Sequence, residues 1–198
     1  MLKRIISLII GYGFGNFLTA LAVSHLWCGE HIEKRGSGNP GVANVTRELG
    51  KTAGLLTLAG DLLKTIAAVK LAARFFGGRL ARFYAGMGVV LGHDFPLWRH
   101  FRGGESVAAT VMMLPMAAPL RSIAADLAGA LVVATTGFLC LGAVAIPLCF
   151  ALLSATIGSF EMAVLSLAMT LLMMQRHRRA LLRVIRGEEK RHLQLLKK

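Results

Sequence analysis

The sequence predicts an all-α, polytopic membrane protein: a bundle of about seven transmembrane helices. Its 198 residues are 55% hydrophobic, and the mean hydropathy of +0.61 is high for a soluble domain. The net charge is +13, and most Lys and Arg lie between apolar segments or after the last one. This placement indicates contact with anionic lipid headgroups, and no nucleic-acid partner is expected.

Seven apolar segments account for the predicted helices. The first follows Lys3 and Arg4 and imitates a secretory signal, but no small-residue cleavage site follows, so we expect a retained span. The fourth and fifth are the shortest, and only Pro119-Leu120-Arg121 separates them. At about 1.5 Å per residue each barely crosses ~30 Å of hydrocarbon. The segments are roughly 5–27, 53–73, 80–98, 106–119, 122–136, 138–157 and 160–175.

The distribution of Lys and Arg predicts the orientation in the membrane. Seven spans put the two ends on opposite sides, and the first loop, third loop and tail carry most of the positive charge. The positive-inside rule therefore places these segments in the cytoplasm and the N-terminus outside. We expect one domain over 1–198, with 176–198 a basic amphipathic tail on the inner leaflet.

Two polar, glycine-rich loops interrupt the apolar pattern. Residues 36–44 read Gly-Ser-Gly-Asn-Pro-Gly-Val-Ala-Asn, and the loop is expected to continue past Arg47 to Lys51. Residues 101–106 read Phe-Arg-Gly-Gly-Glu-Ser. Glycine lets backbone N–H groups approach a phosphate, and an arginine fork suits the same anion. A solvated Asn-Pro-Gly turn explains the first loop equally well. The predicted orientation brings both loops to the cytoplasmic face.

Four ionisable side chains lie within or at the ends of apolar segments, where burying a charge in the membrane is energetically unfavourable. Asp61 and Lys64 lie one helical turn apart inside the second apolar segment, so they should pair or face an aqueous cavity. His93 ends the third segment and His177 follows the last. A histidine at such a rim binds phosphate or exchanges protons near neutral pH, although a structural role is more common for a lone histidine.

The ordered motifs resemble those of the bacterial acyl-phosphate:glycerol-3-phosphate acyltransferases over nearly the whole chain. The first is Gly36-Ser-Gly-Asn-Pro-Gly with Asn44, Arg47 and a Leu-Gly-Lys. The others are Gly60-Asp61 with Lys64, Gly92-His93 with Phe101 and Gly-Gly, and Arg176-His-Arg with Glu189. The resemblance implies a seven-helix inner-membrane enzyme that transfers a fatty acyl group from acyl phosphate to glycerol 3-phosphate. The products are lysophosphatidic acid and phosphate, and no cofactor or metal is implied.

The resemblance also implies roles for individual residues. Arg47 and His177 would hold glycerol 3-phosphate, and Ser37 would complete the catalytic set. Gly103 and Gly104 would direct backbone N–H groups at the acyl phosphate, with His93 shaping the rim of that loop. The remaining expected substrate contacts are Gly38, Asn39, Gly41, Asn44 and Arg102.

Departures from the family pattern keep a second function open. Glu105 stands where a phosphate-binding lysine is usual, and Ser106 replaces a glycine. In the third motif Cys140 and Ala143 lie in a segment that has lost its arginine and both serines. The chain could therefore be a catalytically impaired or redirected paralogue that binds lipid phosphate or regulates an active partner. A small transporter is a third interpretation, which the absence of an internal repeat disfavours.

Overall fold

The computed structural model describes residues 1–191, which form ten α-helices and two short 3-10 helices and contain no strand. The last part of the predicted tail, 192–198, lies outside the described residues. The α-helices are α1 (Leu2–Gly15), α2 (Thr19–Cys28), α3 (Val42–Leu49), α4 (Lys51–Phe76), α5 (Gly78–Asp94), α6 (Val107–Ala117), α7 (Pro119–Thr136), α8 (Leu139–Thr156), α9 (Phe160–Arg176) and α10 (Arg178–Ile185). The 3-10 helices are Ile32–Lys34 and Leu97–Arg99.

The all-helical prediction is confirmed, and each apolar segment corresponds to helix. The first segment differs because it breaks at residues 16–18 into α1 and α2. The third ends at Asp94 and not at 98, since Pro96 disfavours helix in the residue before it. By length and composition, Leu2–Cys28 and Leu139–Thr156 could each cross a membrane, and Val107–Ala117 is a shorter apolar helix. The number of spans and their orientation stay predictions.

The described chain divides into two compact units at Ala117–Ala118, and the expected single domain stays a prediction. In the first unit, α1 and α5 approach backbone to backbone. A Cβ on Gly11 would stand 1.8 Å from the Ala85 carbonyl oxygen, and one on Gly88 would stand 2.1 Å from that of Leu8. Both positions therefore require glycine, as small-residue helix contacts in membrane proteins do.

In the second unit, α7, α8 and α9 pack in sequence order, and α10 contacts α8 and α9. Gly129 and Gly142 form the α7–α8 contact: a Cβ on Gly129 would stand 3.1 Å from the Gly142 carbonyl oxygen. Pro119 begins α7 at a position where its missing N–H costs no helical hydrogen bond.

The first polar loop is shorter than expected. We expected it to run to Lys51, but residues 42–49 form helix α3. The helix forms because its residues are amphipathic: Val45 is buried and Arg47 is exposed. Val45 belongs to an apolar cluster that anchors α3 beside the loop. The other buried members are Ile32, Leu18, Leu21, Ala20 and Ala53.

Candidate functional site

Asn44 organises the first glycine-rich loop. Its side chain is 2% exposed and donates from Nδ2 to the carbonyl oxygens of Arg35 (3.1 Å), Asn39 (3.1 Å) and Ile32 (3.4 Å). Its Oδ1 accepts from the Ser37 N–H at 3.0 Å. All of its hydrogen-bonding capacity therefore serves the backbone of the loop. Asn44 therefore has a structural role in the loop, and its expected substrate contact stays a prediction.

The remaining loop residues present a mixed surface. Ser37 is exposed and its Oγ accepts from the Asn39 N–H at 3.4 Å. Gly38 has φ +72, a conformation that favours glycine. Gly41 precedes the first turn of α3 and accepts from the Val45 N–H at 3.1 Å through its carbonyl oxygen. Ser37 is thus the hydroxyl that the loop offers to a ligand.

The second loop folds back on the end of α5. The Gly103 N–H donates to the Asp94 carbonyl oxygen at 3.1 Å, and the Gly104 N–H donates to that of His93 at 3.0 Å. We expected both N–H groups to face acyl phosphate, and this geometry is different because each already has a backbone acceptor. The glycines are needed for space: a Cβ would stand 2.0 Å from the His93 carbonyl oxygen at Gly103, and 2.2 Å from His93 Nε2 at Gly104.

Two side-chain contacts join the two loops. Asn39 Nδ2 donates to Glu105 Oε2 at 2.9 Å, and Arg99 Nη2 pairs with Glu33 Oε2 at 2.6 Å. The prediction that the two polar loops come together is therefore confirmed. Glu105, an acid where a base was expected, is part of the junction.

Two arginines at this site carry charge toward solvent. Arg47 on α3 and Arg102 in the second loop are both exposed, and neither guanidinium forms a hydrogen bond or ion pair with any residue among 1–191. Arg99 differs because Glu33 already neutralises it. Arg47 and Arg102 are therefore two arginines available for an anionic ligand.

Beneath the loops lies a buried polar cluster of Asp61, Lys64 and His93, completed by Thr19 and the Phe17 carbonyl oxygen. Lys64 Nζ stands 2.8 Å from Asp61 Oδ1, 2.8 Å from His93 Nδ1 and 2.8 Å from the Phe17 oxygen. Thr19 Oγ1 donates to Asp61 Oδ1 at 3.0 Å. The predicted pairing of Asp61 with Lys64 is confirmed. It satisfies the requirement that buried charge be compensated.

His177 belongs to the second unit, between α9 and α10, and is 6% exposed. Burial, with a smaller contribution from the neighbouring Arg176 charge, lowers the pKa of His177 to about 4. The imidazole is therefore neutral at pH 7, and it would act on a phosphate as a hydrogen-bond donor or acceptor without positive charge. Its participation with Ser37 and Arg47 stays a prediction. The helical part of the expected tail is confirmed as α10.

Sequence reasoning missed the residues at the end of α1 that bind the segment between α5 and the second loop. Tyr12 Oη donates to the Phe95 carbonyl oxygen at 2.6 Å. Asn16 Oδ1 accepts from the Leu97 N–H, and its carbonyl oxygen accepts from Trp98 Nε1, both at 2.8 Å. The one available signal was an amide side chain inside an apolar segment, where a polar group needs a partner.

The chain is similar to known glycerol-3-phosphate acyltransferases. Residues 5–187 match the family model of glycerol-3-phosphate acyltransferase. A curated glycerol-3-phosphate acyltransferase from Alkaliphilus metalliredigens is 33% identical over 188 residues, covering 95% of each chain. One from Lactobacillus johnsonii is 46% identical over 114 residues, which span 57% of this chain and about half (55%) of that relative.

A solved structure has the same fold. The crystal structure of PlsY (YgiH), an integral membrane glycerol 3-phosphate acyltransferase, in its glycerol 3-phosphate form superposes with a TM-score of 0.83. The sequences are 26% identical, and the match covers 98% of this chain and 99% of that one. The lysophosphatidic acid form of the same protein gives a TM-score of 0.81.

Proposed function

The chain belongs to the glycerol-3-phosphate acyltransferase family, and on that premise we propose the reaction that it catalyses. It is an integral membrane enzyme that transfers a fatty acyl group to glycerol 3-phosphate. The donor is acyl phosphate, and the products are lysophosphatidic acid and inorganic phosphate. Anionic lipids surround it in the bacterial plasma membrane, which it crosses several times with its C-terminus in the cytoplasm.

The single observation that carries this proposal is the junction of the two polar loops through Asn39 and Glu105. It brings the segment of Ser37 and the segment of Arg102 together, and Arg47 lies in the last turn of α3, the helix that follows the first loop. A hydroxyl and two uncompensated arginines near one junction suit two substrates that each carry phosphate.

The chemistry needs positioning and charge stabilisation more than a covalent intermediate. The C1 hydroxyl oxygen of glycerol 3-phosphate attacks the acyl carbon, and the bond from that carbon to the phosphate oxygen breaks. Phosphate leaves with the electron pair, and one of its oxygens takes the hydroxyl proton. Arg47 holds the glycerol phosphate, Arg102 offsets the charge of the leaving phosphate, and Ser37 orients the attacking hydroxyl. His177 is proposed separately, as a neutral hydrogen-bonding group for a phosphate.

The assay supplies the purified protein in detergent with acyl phosphate and glycerol 3-phosphate, and monitors phosphate release together with lysophosphatidic acid. Arg47→Ala should lower kcat/KM by about 30- to several-thousand-fold, because losing one charged contact costs about 2–5 kcal/mol. Arg79→Ala, which removes an exposed arginine from the start of α5, is the matched control and should retain activity. No turnover by the unaltered protein, or equal loss in both variants, contradicts the proposal.

Glu105 keeps the impaired paralogue as a second candidate, and three variants of this residue decide between the two. Glu105→Gln retains an oxygen that can accept from Asn39 while removing the charge beside the phosphates, so the active enzyme should keep or gain turnover. Glu105→Leu removes the acceptor and should loosen the junction. If neither the unaltered protein nor Glu105→Lys turns over substrate while both bind it, the paralogue interpretation is correct.

A further inference from the structure

The break between α1 and α2 leaves carbonyl groups that the helices do not satisfy. Residues 16–18 lie outside both helices, and the Phe17 oxygen accepts from Lys64 Nζ. The adjacent residue, Asn16, binds Leu97 and Trp98 in the 3-10 helix that precedes the second loop. One discontinuity in the first apolar segment therefore contacts both the buried ion pair and the 3-10 helix that leads into the loop of the proposed site.

The Lys64 ammonium has three hydrogens and three acceptors in place, which are the Phe17 oxygen, Asp61 Oδ1 and His93 Nδ1. With Lys64 assigned as the ammonium, Nδ1 is the acceptor of this contact and carries no proton. The hydrogen of the His93 ring is then on Nε2. Lys64 thereby sets both the orientation of the ring and its tautomer.

The Nε2 edge of His93 packs against Gly104, so closely that a Cβ there would stand 2.2 Å away. The Gly104 N–H also donates to the His93 carbonyl oxygen. His93 thus holds the second loop through both its ring and its backbone.

The second loop needs such support because its backbone is strained. Phe101 and Ser106 have φ of +61 and +41, and His100 just before the loop has φ of +51. Non-glycine residues rarely occupy this region, which costs about 1–3 kcal/mol each. Strained backbone persists only where the surrounding contacts fix it.

We propose that Asp61 and Lys64 are positioning residues for the second loop, which they hold in place through His93. The inference rests on the proposed function in one respect, namely that this loop contacts acyl phosphate. Asp61 fixes the ammonium, the ammonium fixes the imidazole, and the imidazole fixes Gly104. A buried ion pair is rarely needed for stability alone, since apolar replacement of both partners is often neutral.

The test uses Lys64→Met, the double variant Asp61→Asn/Lys64→Met and the control Lys70→Met. The control makes the same change at an exposed position on the same helix. Two loop readouts are measured in detergent: amide hydrogen exchange of the peptide covering 101–106, and KM for each substrate. Thermal midpoints report overall stability.

Lys64→Met should speed exchange in 101–106 at least tenfold and raise KM for acyl phosphate at least tenfold. KM for glycerol 3-phosphate should stay within about twofold. The double variant removes the uncompensated Asp61 charge, so its thermal midpoint should recover while both loop readouts stay altered. Lys70→Met should match the unaltered protein. If Lys64→Met alone does not fold, loop exchange and KM are measured in the double variant.

In the double variant, amide exchange in the loop and KM could both recover together with the thermal midpoint. That result would show that Asp61 and Lys64 have only a structural role, and it would overturn the proposal. Unchanged exchange in Lys64→Met would overturn it as well. If the unaltered protein has no turnover, the proposed function fails, while the exchange measurement still decides whether the relay positions the loop.

Discussion

Replacing Gly104 by alanine tests how tightly His93 holds the second loop. The added Cβ would stand 2.2 Å from His93 Nε2, whereas ordinary contact begins at 3.4 Å, so the ring or the loop must move by about 1 Å. The ring cannot withdraw freely, because Nδ1 is bound to Lys64 Nζ at 2.8 Å. We expect overpacking and a weakened charge-assisted hydrogen bond to cost about 2–4 kcal/mol together.

A smaller effect opposes this cost. Gly104 does not have a positive φ, so alanine fits the backbone and stabilises by about 0.4–1 kcal/mol through the unfolded chain. The net loss is about 1–3 kcal/mol. At roughly 2–4 °C per kcal/mol for a chain of this size, the thermal midpoint should fall by several degrees.

The assay is thermal unfolding in detergent with Gly13→Ala as the control. Nothing lies within 4 Å of a Cβ at Gly13, so alanine there should be neutral or stabilising by up to about 1 kcal/mol. A double-mutant cycle with His93→Ala identifies the clash, since Gly104→Ala should cost little once the ring is absent. An equal cost with and without the His93 ring, or a benign Gly104→Ala, would refute the reasoning.

Three further predictions concern stability. Ser106→Gly should raise the thermal midpoint by the equivalent of about 1 kcal/mol. The reason is that φ +41 strains serine and that its buried Oγ has no partner among the described residues. A lower midpoint would contradict this. Asn44→Ala should lower the free energy of unfolding by about 2–4 kcal/mol, because the loop backbone groups that Asn44 binds lose their hydrogen-bond partner. Ala43→Ser, at an exposed position, is the control. The pKa of His177 is about 4 in the folded protein and 6.5 in the unfolded chain, so the folded state binds a proton less readily. The free energy of unfolding should therefore fall by up to about 3 kcal/mol as the pH drops from 7 to 4. His177→Gln should remove that part of the pH dependence, and an unchanged slope would count against it.

Individual residues show how far sequence reasoning reached. The pairing of Asp61 with Lys64 was predictable because residues three apart share a helix face and charge inside an apolar segment must be compensated. The anion-binding role expected of the Gly103 and Gly104 N–H groups was not met in this structure. Composition indicates that a loop is rich in glycine, but it does not say whether the N–H groups face outward or back to the preceding helix.

The sequence by itself determined the helical membrane class, the places of the apolar segments and the two polar loops. These follow from hydropathy and glycine content, which are properties of neighbouring residues. Only the tertiary structure decided which side chains meet, such as Asn39 with Glu105 and Arg99 with Glu33, each pair 66 residues apart. The physical reason is that hydrogen-bond partners at that separation depend on how the helices pack. The break at residues 16–18 supplies the acceptors for Lys64 and for the 3-10 helix that precedes the second loop.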